Sequence, residues 1–196
     1  MIRTFVAVEL DTSLRQALAQ TQAALREQLR KTVPNIRIQW VRPESIHLTL
    51  KFLGYISEAR VGEIQTALIR VAGGHSRFTV GVEGLGVFPD VRAPRVLWIG
   101  LTTCTDVLKR LAAEVEIELG VIGFAPEPKP FNPHLTLARM KERPHDIGRA
   151  LSNSGLLRQE VKLGPLTVSA LSLMKSYLQP SGSAYTQLFQ VPLKEA

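Results

Sequence analysis

One tetrapeptide occurs twice in the chain, as His47-Leu48-Thr49-Leu50 and as His134-Leu135-Thr136-Leu137. The protein has only four histidines, so two of them in the same short context carry more weight than the common leucines and threonines around them. Each copy alternates polar and apolar residues. That is the period of a strand, whose side chains point to opposite faces in turn. Leu48, Leu50, Leu135 and Leu137 then face a core, while His47 with Thr49 and His134 with Thr136 share the other face. If a pseudo-twofold axis relates the copies, the two strands face one another. Two imidazoles and two hydroxyls then line one cleft.

Such a cleft suits acid–base work on a phosphodiester. An unperturbed imidazole titrates near ~6.5, so near neutral pH one ring can be neutral and the other protonated. The neutral ring takes a proton from the attacking oxygen and the protonated ring gives one to the leaving oxygen, each transfer being worth ~10²–10⁴-fold in rate. The threonine hydroxyls can donate to the non-bridging oxygens, where charge collects in the transition state. The chain has one cysteine, Cys104, and no His-Glu-x-x-His spacing, so neither metal nor cofactor is expected.

The elements that must position these residues alternate between periods of 2 and 3.6. Phe5 to Leu10 reads as a strand, and Asp11, Thr12 and Ser13 offer caps to a helix lined by Leu14, Leu18, Leu25 and Leu29. Strands are predicted over Ile36 to Val41 and His47 to Leu53. Ser57 is expected to cap a second helix, with Val61, Ile64, Leu68 and Val71 inward and Gly73-Gly74 at its end. Phe78 to Phe88 and Arg95 to Leu101 follow as strands. A third helix runs from about Thr105 to Leu119 and is stopped by Gly120. The proline-rich stretch from Pro126 to Pro130 rejects helix. After the strand His134 to Met140, a short helix is expected around His145 to Leu151. Strands over Leu166 to Ser176 and Tyr185 to Leu193 close the chain, with a turn at Pro180-Ser181-Gly182 between them. The same order of elements occurs twice with no linker between. The expectation is therefore one bilobal unit over residues 1–196, with approximate repeats 1–94 and 95–196.

Composition narrows the class. The 196 residues are 45% hydrophobic and 21% charged, with 14 glycines and 12 prolines, which excludes a disordered tail and a coiled-coil rod. No apolar run approaches the ~18–20 residues that span a bilayer, and the opening residues lack a signal-peptide pattern, so a cytoplasmic protein without membrane contact is expected. A net charge of +7 favours an anionic partner such as nucleic acid or a nucleotide, unless the host's proteins are generally basic.

These residues resemble the 2H phosphoesterase superfamily, named for two H-x-T/S-x motifs on paired strands. Within it the chain is most similar to the RNA 2′,3′-cyclic phosphodiesterase (2′-5′ RNA ligase) family. The resemblance runs along nearly the whole chain. It is carried by Arg3 to Leu10, by Trp40-Val41 with Ile46 to Gly54, by Phe88-Pro89 with Pro94 to Leu101, by Phe131 to Arg139, and by Leu173, Ser176, Pro180, Gly182 and Tyr185. Met174-Lys175 departs from the Tyr-Gln of the pattern. The resemblance implies an α+β fold: bilobal, pseudo-twofold, with antiparallel sheets lining a central cleft and helices outside. It implies hydrolysis of a 2′,3′-cyclic phosphate on an RNA end to a 2′-phosphate, the reverse reaction joining ends through a 2′-5′ linkage. It also implies that His47 is the proton donor and His134 the acceptor, roles that the two nearly identical motifs leave open by themselves.

Further residues are candidates for substrate contact. Arg139 is one by resemblance, although its odd offset from His134 puts it on the opposite strand face unless a bulge re-aims it. Lys141 begins a basic run with Arg143 and His145 that could track a nucleic-acid backbone. Trp40, Phe52 and Tyr185 could stack on a base. Lys51 and Lys175 are further cations, and His75 reads as a loop residue. The expected partner is RNA with a 2′,3′-cyclic phosphate end or a related nucleotide, bound by a monomer. The rival readings are a phosphodiesterase for 2′-5′ oligonucleotides or small cyclic nucleotides, and a binding module without catalysis.

Overall fold

The computed structural model describes residues 1–34, 36–179 and 182–195. Strand β1 (Ile2–Glu9) feeds helix α1 (Thr12–Thr32), which Asp11 caps by accepting from the Leu14 amide at 2.8 Å. The buried stripe of α1 is Leu14, Leu18, Gln22, Leu25 and Leu29, so a glutamine sits among the expected leucines. Strand β2 is short (Ile38–Trp40), and a 3₁₀ turn over Pro43–Ser45 leads into β3 (His47–Ile56). Ser57 makes no side-chain cap. It opens a 3₁₀ turn over Glu58–Arg60, and α2 begins only at Val61 (Val61–Ala72).

Strands β4 (Phe78–Phe88) and β5 (Val96–Thr102) precede α3 (Thr105–Val121), which runs through Gly120 rather than stopping there. Strand β6 (His134–Met140) and helix α4 (Pro144–Ser154) come next. The single strand expected over Leu166 to Ser176 is two strands, β7 (Lys162–Val168) and β8 (Ala170–Gln179), followed by β9 (Gly182–Pro192). An unbroken apolar alternation gives no sign of where a chain changes partners. Here it does so at Ser169, where β7 leaves β4 and β8 takes up β1. Of the expected turn at 180–182, residues 180 and 181 lie outside the described residues.

The strands form one antiparallel set in the order β7-β4-β5-β6-β3-β1-β8-β9, with β2 also on β6. The order is symmetric about its middle. A β1-α1-β3 unit in the first half answers a β5-α3-β6 unit in the second, and each is flanked by two outer strands. The architecture is a helix-and-antiparallel-sheet half-barrel of two repeated halves, in agreement with the expected pseudo-twofold α+β fold. The outer strands are exchanged, however. β4 precedes β5 in sequence yet lies in the sheet of the second unit, while β8 and β9 lie beside β1. The two motif strands lie side by side rather than face to face, and they meet at one pair, Leu48 with Leu135. Both leucines are fully buried in a core shared by all four helices and both halves of the sheet.

Candidate active site

Strands β3 and β6 carry the same exposure pattern over their first six residues: half-buried, buried, half-buried, buried, buried, exposed. His47, Thr49, His134 and Thr136 are the half-buried ones, on the face away from the core. Pairing is antiparallel about Leu48 and Leu135, so the residue before one leucine lies beside the residue after the other. His47 is thus next to Thr136, and Thr49 next to His134.

Each ring is held in the same way. His47 Nδ1 donates to the Ser45 carbonyl at 2.9 Å, and His134 Nδ1 donates to the Asn132 carbonyl at 2.7 Å. A carbonyl can only accept, so Nδ1 carries the hydrogen and Nε2 is left for the cleft. Proline helps on both sides. Pro43 starts the turn that ends at Ser45, and Pro133 restricts Asn132 to extended backbone. Aromatic rings back the imidazoles. Phe5 stacks on His47 at 4.6 Å and Tyr185 meets it edge-on at 4.9 Å, while Phe88 meets His134 edge-on at 5.0 Å. Met174, part of the departure from the family pattern, is buried with Phe5 and Ala7. Trp98 has its ring centre 6.3 Å from that of His134 and lies flat on Gly86, where a Cβ would meet the indole at 2.2 Å. Only glycine leaves room for it there.

Electrostatics set both rings neutral. Burial pushes the His47 pKa down to about 4, against the bond to Ser45, and the charges of Arg139 and Arg15 push the same way. Burial also lowers His134, with Arg139 adding to it. The expected pair of one neutral and one protonated ring is therefore, in the protein by itself, two neutral rings.

The problem of Arg139 is solved by a bulge. On β6, Ala138 and Thr136 pair with the adjacent Leu97 and Trp98, so Leu137 is the extra residue. The side-chain phase flips there, Leu137 and Ala138 are both buried, and Arg139 returns to the face of His134. Strand β3 does the same. Lys51 and Thr49 pair with Val6 and Ala7, Leu50 is extra, and Phe52 comes to the cleft face at 53% exposed. Phe52 and Arg139 are thus equivalent positions, one apolar and one cationic, in an otherwise symmetric floor.

The cleft has a volume of about 590 Å³. Lys141, Tyr185 and Trp40 line it, and Arg3, Arg42, Gln39, Ser176 and Ser183 join them. Among the described residues no carboxylate lines it. The rest of the basic run does not reach it: Arg143 is bonded to Asp146 at 2.6 Å and His145 to the Arg92 carbonyl at 3.2 Å. Lys51 is in the core, not the cleft. The β3 bulge turns it inward, where its Nζ donates to Glu116 at 2.6 Å and to the Ala125 carbonyl at 2.8 Å. Lys175 faces Glu58 at 3.8 Å, and His75 is bonded to Glu114 at 2.8 Å. Arg3 and Arg42 were not singled out from sequence. Arg3 stands two residues before Phe5 on the cleft face of β1, and that alternation is the signal that could have found it.

The family model described as LigT like Phosphoesterase matches twice, over residues 12–98 and 99–185. The RNA 2′,3′-cyclic phosphodiesterase of Methanothermobacter thermautotrophicus is 33% identical over 95% of this chain and 96% of its own. That of Aquifex aeolicus is 35% identical over 95% and 94%. The crystal structure of TT0787 of Thermus thermophilus covers 99% of both chains with a TM-score of 0.75 at 28% identity. Escherichia coli LigT complexed with 3′-AMP shares the fold, covering 99% of both chains with a TM-score of 0.70 at 24% identity. With two motif strands, two repeats and relatives of this similarity over nearly their whole length, the chain belongs to the LigT-like phosphoesterase family of the 2H phosphoesterases.

Proposed function

We propose that this protein hydrolyses the 2′,3′-cyclic phosphate at the end of an RNA chain to a 2′-phosphate, with His134 as base and His47 as acid. The observation that carries the reading is the pair of locked imidazoles, each with its Nε2 turned to one cationic cleft. Water attacks phosphorus and gives its proton to His134 Nε2. The bond from phosphorus to O3′ breaks, and O3′ takes a proton from His47 Nε2. What remains is a 2′-phosphomonoester and a free 3′-hydroxyl. Thr49, Thr136 and Arg139 hold the non-bridging oxygens as their charge grows. A 5′-hydroxyl in place of water gives a 2′-5′ linkage by the same transfers.

His47 needs a proton that burial takes away. The substrate's own charge returns it: a phosphodiester anion beside the ring favours its imidazolium form, and the charge on one ring disfavours a charge on the other, which leaves His134 neutral as the base. Arg139 and Lys141 then bind the phosphate and Phe52 and Tyr185 contact the terminal nucleoside. Every one of these groups comes from one chain, so the proposed unit of function is a monomer. The test is an RNA with a 2′,3′-cyclic end, with the product mapped as 2′- or 3′-phosphate and chelator present. We expect the 2′-phosphate, and we expect His47→Ala and His134→Ala each to lower turnover by at least ~10²-fold with the fold retained. Full activity of either variant removes the proposal.

A further inference from the structure

A second depression opens beside the cleft, between α1 and β2, with a volume of about 700 Å³. It shares Gln39, Trp40, Arg139 and Lys141 with the cleft, so the two form one trough with the imidazoles toward one end. Its extra cations are Arg26 and Arg30 from α1 and Arg37 from the approach to β2, against one carboxylate among the described residues, Glu142. Arg26 lies over the Trp40 ring at 5.3 Å, which continues a flat cation–aromatic surface out of the cleft. Leu29, Val33 and Ile36 give the trough an apolar floor. Arg30 is paired with Glu27 at 3.1 Å, whereas Arg26 and Arg37 form no salt bridge among the described residues.

A cyclic phosphate stands at the end of its chain, so every other nucleotide must leave the cleft on its 5′ side. The shared wall at Trp40, Arg139 and Lys141 offers an exit lined with charge of the right sign, then exposed guanidinium groups for phosphates and apolar surface for bases. Resting on the function proposed above, we propose that the trough between α1 and β2 binds the single-stranded nucleotides that precede the cyclic end. The substrate is then an oligoribonucleotide chain, and a cyclic mononucleotide is a truncated one. Recognition there is by backbone charge and stacking and carries no base sequence.

The experiment compares a 2′,3′-cyclic mononucleotide with a six-nucleotide single strand ending in the same group, on the wild type and on the double variant Arg26→Ala/Arg37→Ala. The expected result is a kcat/KM at low salt at least ~10-fold higher for the hexamer, lost in the double variant, with the mononucleotide value unchanged. Binding is read separately, without turnover, by anisotropy of a labelled hexamer ending in a plain 2′-phosphate. Removing two phosphate contacts lowers the slope of log affinity against log salt by about 1.4. Unchanged affinity and slope in the double variant overturn the proposal, as does an equal loss on both substrates. Polyglutamate displacing the hexamer as well as unlabelled RNA of equal charge also overturns it, because the trough would then suit an acidic protein segment. If the wild type hydrolyses neither substrate but hexamer binding still depends on Arg26 and Arg37, the hydrolytic reading falls and the trough stands.

Discussion

The environment of His47 has consequences for the stability of the fold. Its pKa falls from 6.5 in the unfolded chain to about 4 in the folded protein, chiefly through burial. Between those values the unfolded state binds a proton that the folded state refuses, so acidification favours unfolding. The expected loss of stability builds up as pH falls from about 6.5 and reaches about 3 kcal/mol by pH 4, at roughly 1.4 kcal/mol per unit. His134 acts in the same direction. Urea unfolding at pH 7 and pH 4.5 reads the effect, and His47→Gln should flatten the difference. A wild type equally stable at both pH values would mean that the ring is solvated. Activity carries a second signature. If bound phosphate restores the proton to His47, the acid's pKa is higher in the complex than in the free enzyme. The alkaline limb of kcat should then lie at higher pH than that of kcat/KM. Coincident limbs would separate the acid from the bound anion.

At the scale of the element, the bulges decide what the cleft contains. Gln22, buried on α1, donates from Nε2 to two carbonyls at 2.8 Å each, those of Val41 and of Leu137, the extra residue of β6. The Leu137 carbonyl also accepts from the Val41 amide at 2.9 Å. The helix therefore clamps the bulge that aims Arg139. Gln22→Leu leaves buried carbonyls short of a donor and should cost about 1–3 kcal/mol in thermal or denaturant unfolding. It should also raise KM and lower kcat, because Arg139, which binds the phosphate and holds its oxygens as their charge grows, loses its aim while the histidines keep their own carbonyl partners. A variant as stable as wild type, with unchanged KM, would show that the bulge holds itself. This clamp also lies beyond what local sequence pattern can show. The His and Thr positions were legible because strict alternation needs no knowledge of neighbouring strands. Arg139 was not, since its face depends on an extra residue that only the pairing with β5 creates, and Lys51 was lost to the core by the matching bulge on β3. The adjacent apolar pair Leu137-Ala138 is the faint local sign of the slip. Gln22 gives no sign of its own in the sequence, since one polar residue in a leucine stripe has the pattern of a helix edge.

For the whole molecule, the question is whether the repeat in the sequence is also a unit of folding. The exchanged strands argue that it is not. Strand β4 stands in the first half of the sequence, yet both its neighbours, β5 and β7, come from the second. Strands β8 and β9 stand in the second half, yet they extend the sheet from β1. Helices α2 and α3 pack on one another across the same boundary. Cut in the loop between β4 and β5, a fragment of residues 1–94 keeps β4 without either partner and opens one edge of β1. The fragment 95–196 leaves β8 and β9 with no sheet to join. A two-stranded ribbon is marginal at best in water, and unpaired edges invite association. Neither fragment alone should show a cooperative thermal transition by circular dichroism. Mixed in equal amounts they should regain one, along with hydrolysis of the cyclic end, because His47 and His134 come from different fragments and meet only when Leu48 pairs with Leu135. A fragment that melts cooperatively by itself would show instead that each repeat is a domain in its own right, joined to its twin only at the cleft.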